Sequence, residues 1–134
     1  MRVTGGVRLI SNLCMRHVKS EDILLKESPA GELFSVLVGR HESTGASKHQ
    51  TVAMVVLPEG KSSDPHYHKE REESYFFLAG EGVAVVGGAE VKVNAGDLIF
   101  SYPGEKHQFF NMGTTELRYI VITTPQWVPA DSFV

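Results

Sequence analysis

Residues 66–80 read HYHKEREESYFFLAG, and this stretch decides the fold. On an extended segment successive side chains point to opposite faces, so His66 and His68 project together from one side. Further along, Glu73, Tyr75 and Phe77 share one parity, as a half-buried strand requires. Gly80 then ends the apolar run. Two imidazoles on one face with a carboxylate five residues on can share one metal ion. His107, from a distant segment, would complete a set of three nitrogens and one oxygen. Borderline and hard divalent metals such as iron, manganese, zinc, nickel and copper take such ligands.

Outward from that stretch, short β-rich segments follow one another with turn signals between them. Leu33–His41 reads LFSVLVGRH, Thr51–Leu57 reads TVAMVVL and Ser74–Ala79 reads SYFFLA. Gly80-Glu81-Gly82 turns into VAVVG, and Gly87-Gly88 is a tight hairpin signal leading into AEVKV. LIFSY, His107–Asn111 and Leu117–Thr123 follow, separated by Asn94-Ala95-Gly96-Asp97 and Pro103-Gly104. Only Lys19–Lys26 has helical character. The pattern predicts an all-β sandwich or barrel, and 134 residues suffice for one domain with a real core.

These residues also carry a family resemblance. Gly60, His66, His68, Glu73 and Gly80 stand at the intervals of the first cupin motif, and Gly96, Gly104, His107 and Asn111 at those of the second. The proline expected in the second motif is displaced: Tyr102 holds its position and Pro103 follows. The chain thus resembles a small single-domain cupin. The resemblance implies a double-stranded β-helix (jelly-roll) barrel over residues 31–134, including a C-terminal tail. Residues 1–30, weakly patterned and containing Gly5-Gly6 and Pro29, are expected to be an N-terminal extension with extra strands. It also implies a single divalent transition metal on His66, His68, Glu73 and His107, and a homodimer. Gly60, Gly80 and Gly96 would sit at strand reversals on the barrel rim.

The ligand set has rivals within the sequence. Glu70 and Glu72 belong to the charge run KEREE, whose ordinary reading is a solvated loop. Glu72 fits the shorter His-to-Glu spacing but leaves seven residues before Gly80, so Glu73 is preferred. His17, His41 and His49 lack ligand-like partners, although His41 and His49 could still line a pocket. Tyr75, Phe77 and Phe109 would line the barrel beside the metal, with Met54 and Val56 contributing from a neighbouring strand. Tyr75 and Tyr102 are the candidate proton donors or orienting groups. Arg118 either binds an anionic substrate or faces outward. Trp127 and Phe133 in the tail would dock on the barrel or on a second subunit.

Composition excludes more than it selects. Net charge is −3, from 13 basic and 16 acidic residues, and no basic stretch offers a nucleic-acid footprint. Cys14 is the only cysteine, so no intramolecular disulfide can form, which fits a reducing, cytoplasmic setting. No run approaches the ~18 apolar residues of a membrane span. The expectation is a metal-dependent enzyme of oxygenase, isomerase or lyase type acting on a small polar molecule. Its alternative is a non-catalytic barrel that binds or senses a small ligand.

Overall fold

The computed structural model describes residues 7–10, 15–40 and 46–134. Eleven strands follow in order: β1 (Val7–Ile10), β2 (Met15–Val18), β3 (Lys26–Glu27), β4 (Leu33–Val38), β5 (Thr51–Leu57), β6 (Glu72–Ala79), β7 (Glu81–Val86), β8 (Ala89–Asn94), β9 (Leu98–Ser101), β10 (His107–Asn111) and β11 (Leu117–Thr124). Six form a sheet in the order β3-β4-β5-β11-β6-β9, and three form a second in the order β10-β7-β8. All strand pairs are antiparallel. β1 and β2 make a separate hairpin. The helical character of Lys19–Lys26 is confined to a three-residue 3-10 helix at Ser20–Asp22, after which the chain enters β3.

The core lies between the two sheets, and parity explains who enters it. On β6, Glu73, Tyr75 and Phe77 point inward while Phe76 and Leu78 stay exposed. On β11 the inward set is Leu117, Tyr119 and Thr123, and on β10 it is His107, Phe109 and Asn111. Tyr75, Phe77, Phe109 and Tyr119 pack with ring centroids 4.5–6.2 Å apart, the offset and tilted contacts aromatic rings prefer. β5 corrects the expected lining. Ala53 lines the interior cavity and Val55 and Leu57 are buried in the core, so strand alternation turns Met54 and Val56 to the opposite face.

Two turns set the strand positions that matter. Gly87 and Gly88, with φ of 57° and 84°, close the two-residue hairpin between β7 and β8 in register Val86↔Ala89, as a type I′ turn demands. At Gly80 (φ 85°), a Cβ would lie 2.3 Å from the Glu116 carbonyl oxygen. A side chain there would displace the segment that feeds β11, so this rim position is closed to other residues. Ahead of β6, the His66 segment forms a bridge to His107 at the start of β10. The two halves of the predicted ligand set are therefore tied by backbone hydrogen bonds, His66 N to His107 O at 3.2 Å and His107 N to His66 O at 2.9 Å.

Candidate metal centre

His66, His68, Glu73 and His107 converge so that one ligand atom from each lies within 4.8 Å of all the others. Nε2 of His66 stands 3.2 Å from Nε2 of His107. Glu73 Oε1 stands 3.1 Å from Nε2 of both His68 and His107. Exposed Glu72, the rival, points away on the other face of β6.

The opposite ring nitrogens are all engaged. Nδ1–H donates from His66 to the Asp64 carbonyl (2.8 Å), from His68 to the Asp131 carbonyl (2.6 Å) and from His107 to the Glu105 carbonyl (3.1 Å). A carbonyl can only accept, so each Nδ1 carries a proton and each Nε2 is turned to the centre, where those of His68 and His107 donate to Glu73 Oε1 as long as no metal takes their place. This is the arrangement that orients and strengthens metal-binding imidazoles.

Glu73 is held as firmly. Tyr75 donates its hydroxyl to Oε1 and Thr123 donates its hydroxyl to Oε2. Burial alone would raise the Glu73 carboxyl, but hydrogen bonds from His107 and His68 outweigh it and hold the group well below the usual carboxylate range. His66 is pushed down by burial and by the neighbouring His107. For His68, burial works downward, yet its contact with Glu73 carries it above its ordinary value. Burial and the Glu73 charge both raise Tyr75, which keeps its proton on that oxygen. The donor set is thus an ionised carboxylate and three pre-oriented imidazoles whose Nε2 atoms face one point, chemically suited to a divalent transition metal that would displace the Nε2 protons.

The cluster borders a cavity of about 660 Å³, lined among others by Phe34, Val55, Tyr75, Phe109 and Tyr119. Its size and largely apolar wall are those of a small-molecule site. The tail packs against this end of its own barrel. Tyr67 and Phe133 exchange backbone hydrogen bonds and stack at 5.4 Å, and Trp127 N–H donates to Thr51 Oγ1. Asp131 accepts from Lys69 N, Glu70 N and Arg71 Nη1, at 2.9, 3.2 and 2.8 Å, clamping the KEREE loop.

Several sequence-predicted residues lie elsewhere. Tyr102 is not brought to the cluster: it is 64% exposed and packs on Phe100 at 4.8 Å. Ser101 takes the inward position at the end of β9, so its neighbours on either side face out. The turn that lost its proline closes differently, with Glu105 Oε1 accepting from Tyr102 N at 2.7 Å. Arg118 is exposed and pairs with Glu116. Gln108, a further polar candidate because it neighbours His107, instead donates to the Ser63 carbonyl. His17 and His49 are outside the cluster, and His41 lies outside the described residues. Thr123, Asp131 and Glu32 were missed. Thr123 could have been found from its inward parity on β11; Asp131 had no local signal, because its role depends on where the tail docks.

An antiparallel jelly-roll barrel with a three-histidine, one-carboxylate cluster at one end defines a class of small β-barrel proteins with a potential metal centre. The chain belongs to the cupin family, whose Cupin_2 domain matches residues 53–123. It is 37% identical over 76 residues to the oxalate-binding protein of Thermotoga maritima, a match covering 57% of this chain and 63% of that protein. It thus spans less than two thirds of the length of the curated relatives it matches, 63% and 66%. Among solved structures, a predicted oxalate decarboxylase from Thermotoga maritima is 27% identical with a TM-score of 0.71, covering 80% of this chain and 96% of that one. The polyketide cyclase RemF from Streptomyces resistomycificus shares the fold at 21% identity and a TM-score of 0.72, covering 89% and 84% of the respective chains.

Proposed function

We propose that this chain is a metal-dependent cupin enzyme acting on a small polar substrate. His66, His68, Glu73 and His107 would hold one divalent ion, iron, manganese, zinc, nickel or copper. The observation that carries this reading is the convergence of three Nε2 atoms whose Nδ1 partners are all backbone carbonyls. Four protein ligands would leave coordination positions for substrate, which distinguishes catalytic from closed structural centres. When bound, the ion would supply Lewis acidity toward a substrate oxygen, or oxygen chemistry if it is redox-active. The chain's own residues hold Glu73 through Tyr75 and Thr123, orient the imidazoles and surround the substrate with an apolar wall that excludes water. The test is metal-dependent turnover of a panel of oxalate, keto acids, sugar phosphates and aromatic diols. Absence of turnover across the panel, with metal bound, would count against an enzyme.

The second reading is a metal-held ligand-binding barrel, favoured by the relative named for oxalate binding. Tight oxalate binding without turnover in calorimetry would select it. Either reading goes with a homodimer. Its support is the outer face of the six-stranded sheet, where Phe76, Leu98, Phe100 and Ile122 stand exposed side by side. Light scattering that gave a monomer mass would reject the dimer. No helix of the described residues is long and apolar enough to cross a membrane. The cytoplasmic placement is a proposal resting on the lone cysteine, and cell fractionation tests it.

A further inference from the structure

The cavity contains a carboxyl group that the ligand set leaves free. Glu32 immediately precedes β4 and has the parity of Phe34 and Val36; all three line the cavity with His66, Glu73 and His107. Its backbone is pinned by a turn. Ser28 N donates to the Glu32 carbonyl at 2.8 Å, and Glu32 N donates to Ser28 Oγ at 3.2 Å. Among the described residues no side chain or backbone group binds its carboxylate. Glu32 is thus half-buried, fixed at its backbone and open to the cavity, where its carboxylate is accessible to a ligand.

We propose that Glu32 is the proton-transfer group of this cavity, taking a proton from a small substrate seated against the histidine–glutamate cluster and giving it back. This rests on the metal-cupin reading. Tyr75 and the imidazoles of the cluster are committed: Tyr75 to Glu73, and each Nδ1–H to a carbonyl. The charged and titratable groups that share the cavity with Glu32 are Lys26 on β3, Arg40 after β4, Asp64 and His66 ahead of β6, Glu73 and Tyr75 on β6, His107 on β10 and Tyr119 on β11. Burial, then the negative charges of Asp64 and Glu73, raise the Glu32 carboxyl to about 7. Acid and base forms therefore coexist at neutral pH, the condition for efficient proton transfer.

In the step, a C–H or O–H bond of the substrate breaks, its proton joins a Glu32 oxygen and the electron pair stays on the substrate. The proton then goes to another atom of the same molecule, or to an oxygen that departs as water or alcohol. No oxidant is consumed, so this chemistry favours isomerisation or elimination. The substrate class is a molecule with an acidic C–H beside a carbonyl.

Calorimetry on the full chain loaded with cobalt(II), with oxalate as probe, tests the assignment. Run at about pH 7.5 in buffers of different ionisation heat, it counts protons taken up with the ligand. A dianion seated beside Glu32 favours the protonated acid. Net proton uptake, below one proton per oxalate, should accompany binding. Glu32→Gln should keep one cobalt per chain and lose that uptake, and Glu32→Asp should restore part of it. Unchanged uptake in Glu32→Gln overturns the proposal, as does oxalate binding without uptake, or no oxalate binding, in the cobalt-loaded wild type. Cobalt content, measured first, separates these from failure of the metal reading, in which the wild type takes up no cobalt.

Discussion

Replacing Thr123 with valine removes one hydroxyl and little volume, and its consequence can be worked from the structure. Thr123 is 2% exposed and Glu73 5%, so no bulk water replaces the lost donor on Oε2. A hydrogen bond to a buried charged group contributes about 1.5–3 kcal/mol. The metal-free protein should lose about that much stability above the folded-state pKa of Glu73. Metal affinity should fall about 10–100-fold, the usual effect of removing a group that orients a ligand, which corresponds to about 1.4–2.7 kcal/mol. Competition for zinc against a chromophoric chelator reads the affinity, and urea unfolding reads the stability. Combining Thr123→Val with Tyr75→Phe should give a non-additive loss, because both hydroxyls serve one carboxylate. Wild-type affinity and stability in Thr123→Val would refute the claim that Thr123 positions Glu73.

Other expectations follow from the same contacts. His107→Ala should release most of the metal while circular dichroism shows the fold retained; unchanged metal content would exclude His107 as a ligand. Asp131→Ala should destabilise by about 1.5–3 kcal/mol, since it removes the charged acceptor of Lys69 N, Glu70 N and Arg71 Nη1 and leaves Arg71 only Glu70 and the Gln126 carbonyl, and urea midpoints measure it. Glu32 titrates at about 7 in the folded chain against an ordinary value of 4.5. The folded state therefore keeps a proton that the unfolded chain releases, and the contribution of Glu32 to stability falls as pH rises from 4.5 to 7. Glu32→Gln should lack that fall, so equal slopes in metal-free denaturation would contradict it. Glu73, with its pKa depressed, contributes stability above about 4.5 that is lost as pH falls through its lower folded value.

The strand segments, and the shared face of His66 and His68, were legible because they are written in local pattern, and the motif spacing added Glu73 and His107 to the cluster. Alternation carried Glu73, Tyr75 and Phe77 to one face, and Gly87-Gly88 set a hairpin register without help from distant residues. What stayed hidden depended on strand phase or on long-range docking. TVAMVVL is apolar at every position but its first, so nothing in it distinguishes Val55 from Met54; pairing with β11 makes the choice. Tyr102 looked close to the mouth because it neighbours the second motif, but the inward turn of Ser101 sends it out. Asp131 lies 63 residues from the histidine whose Nδ1 its carbonyl accepts, a separation no spacing rule covers. Glu32 had no motif at all, and only the closed barrel brings it to the cavity.

The central claim is that His66, His68, Glu73 and His107 form one metal centre. Elemental analysis of protein purified without chelator or affinity nickel, with His66→Ala alongside, tests it most directly. The account predicts close to one transition-metal ion per chain in the wild type and its loss in the variant. A wild type that holds no metal even after reconstitution, or a variant that holds as much as the wild type, would contradict it.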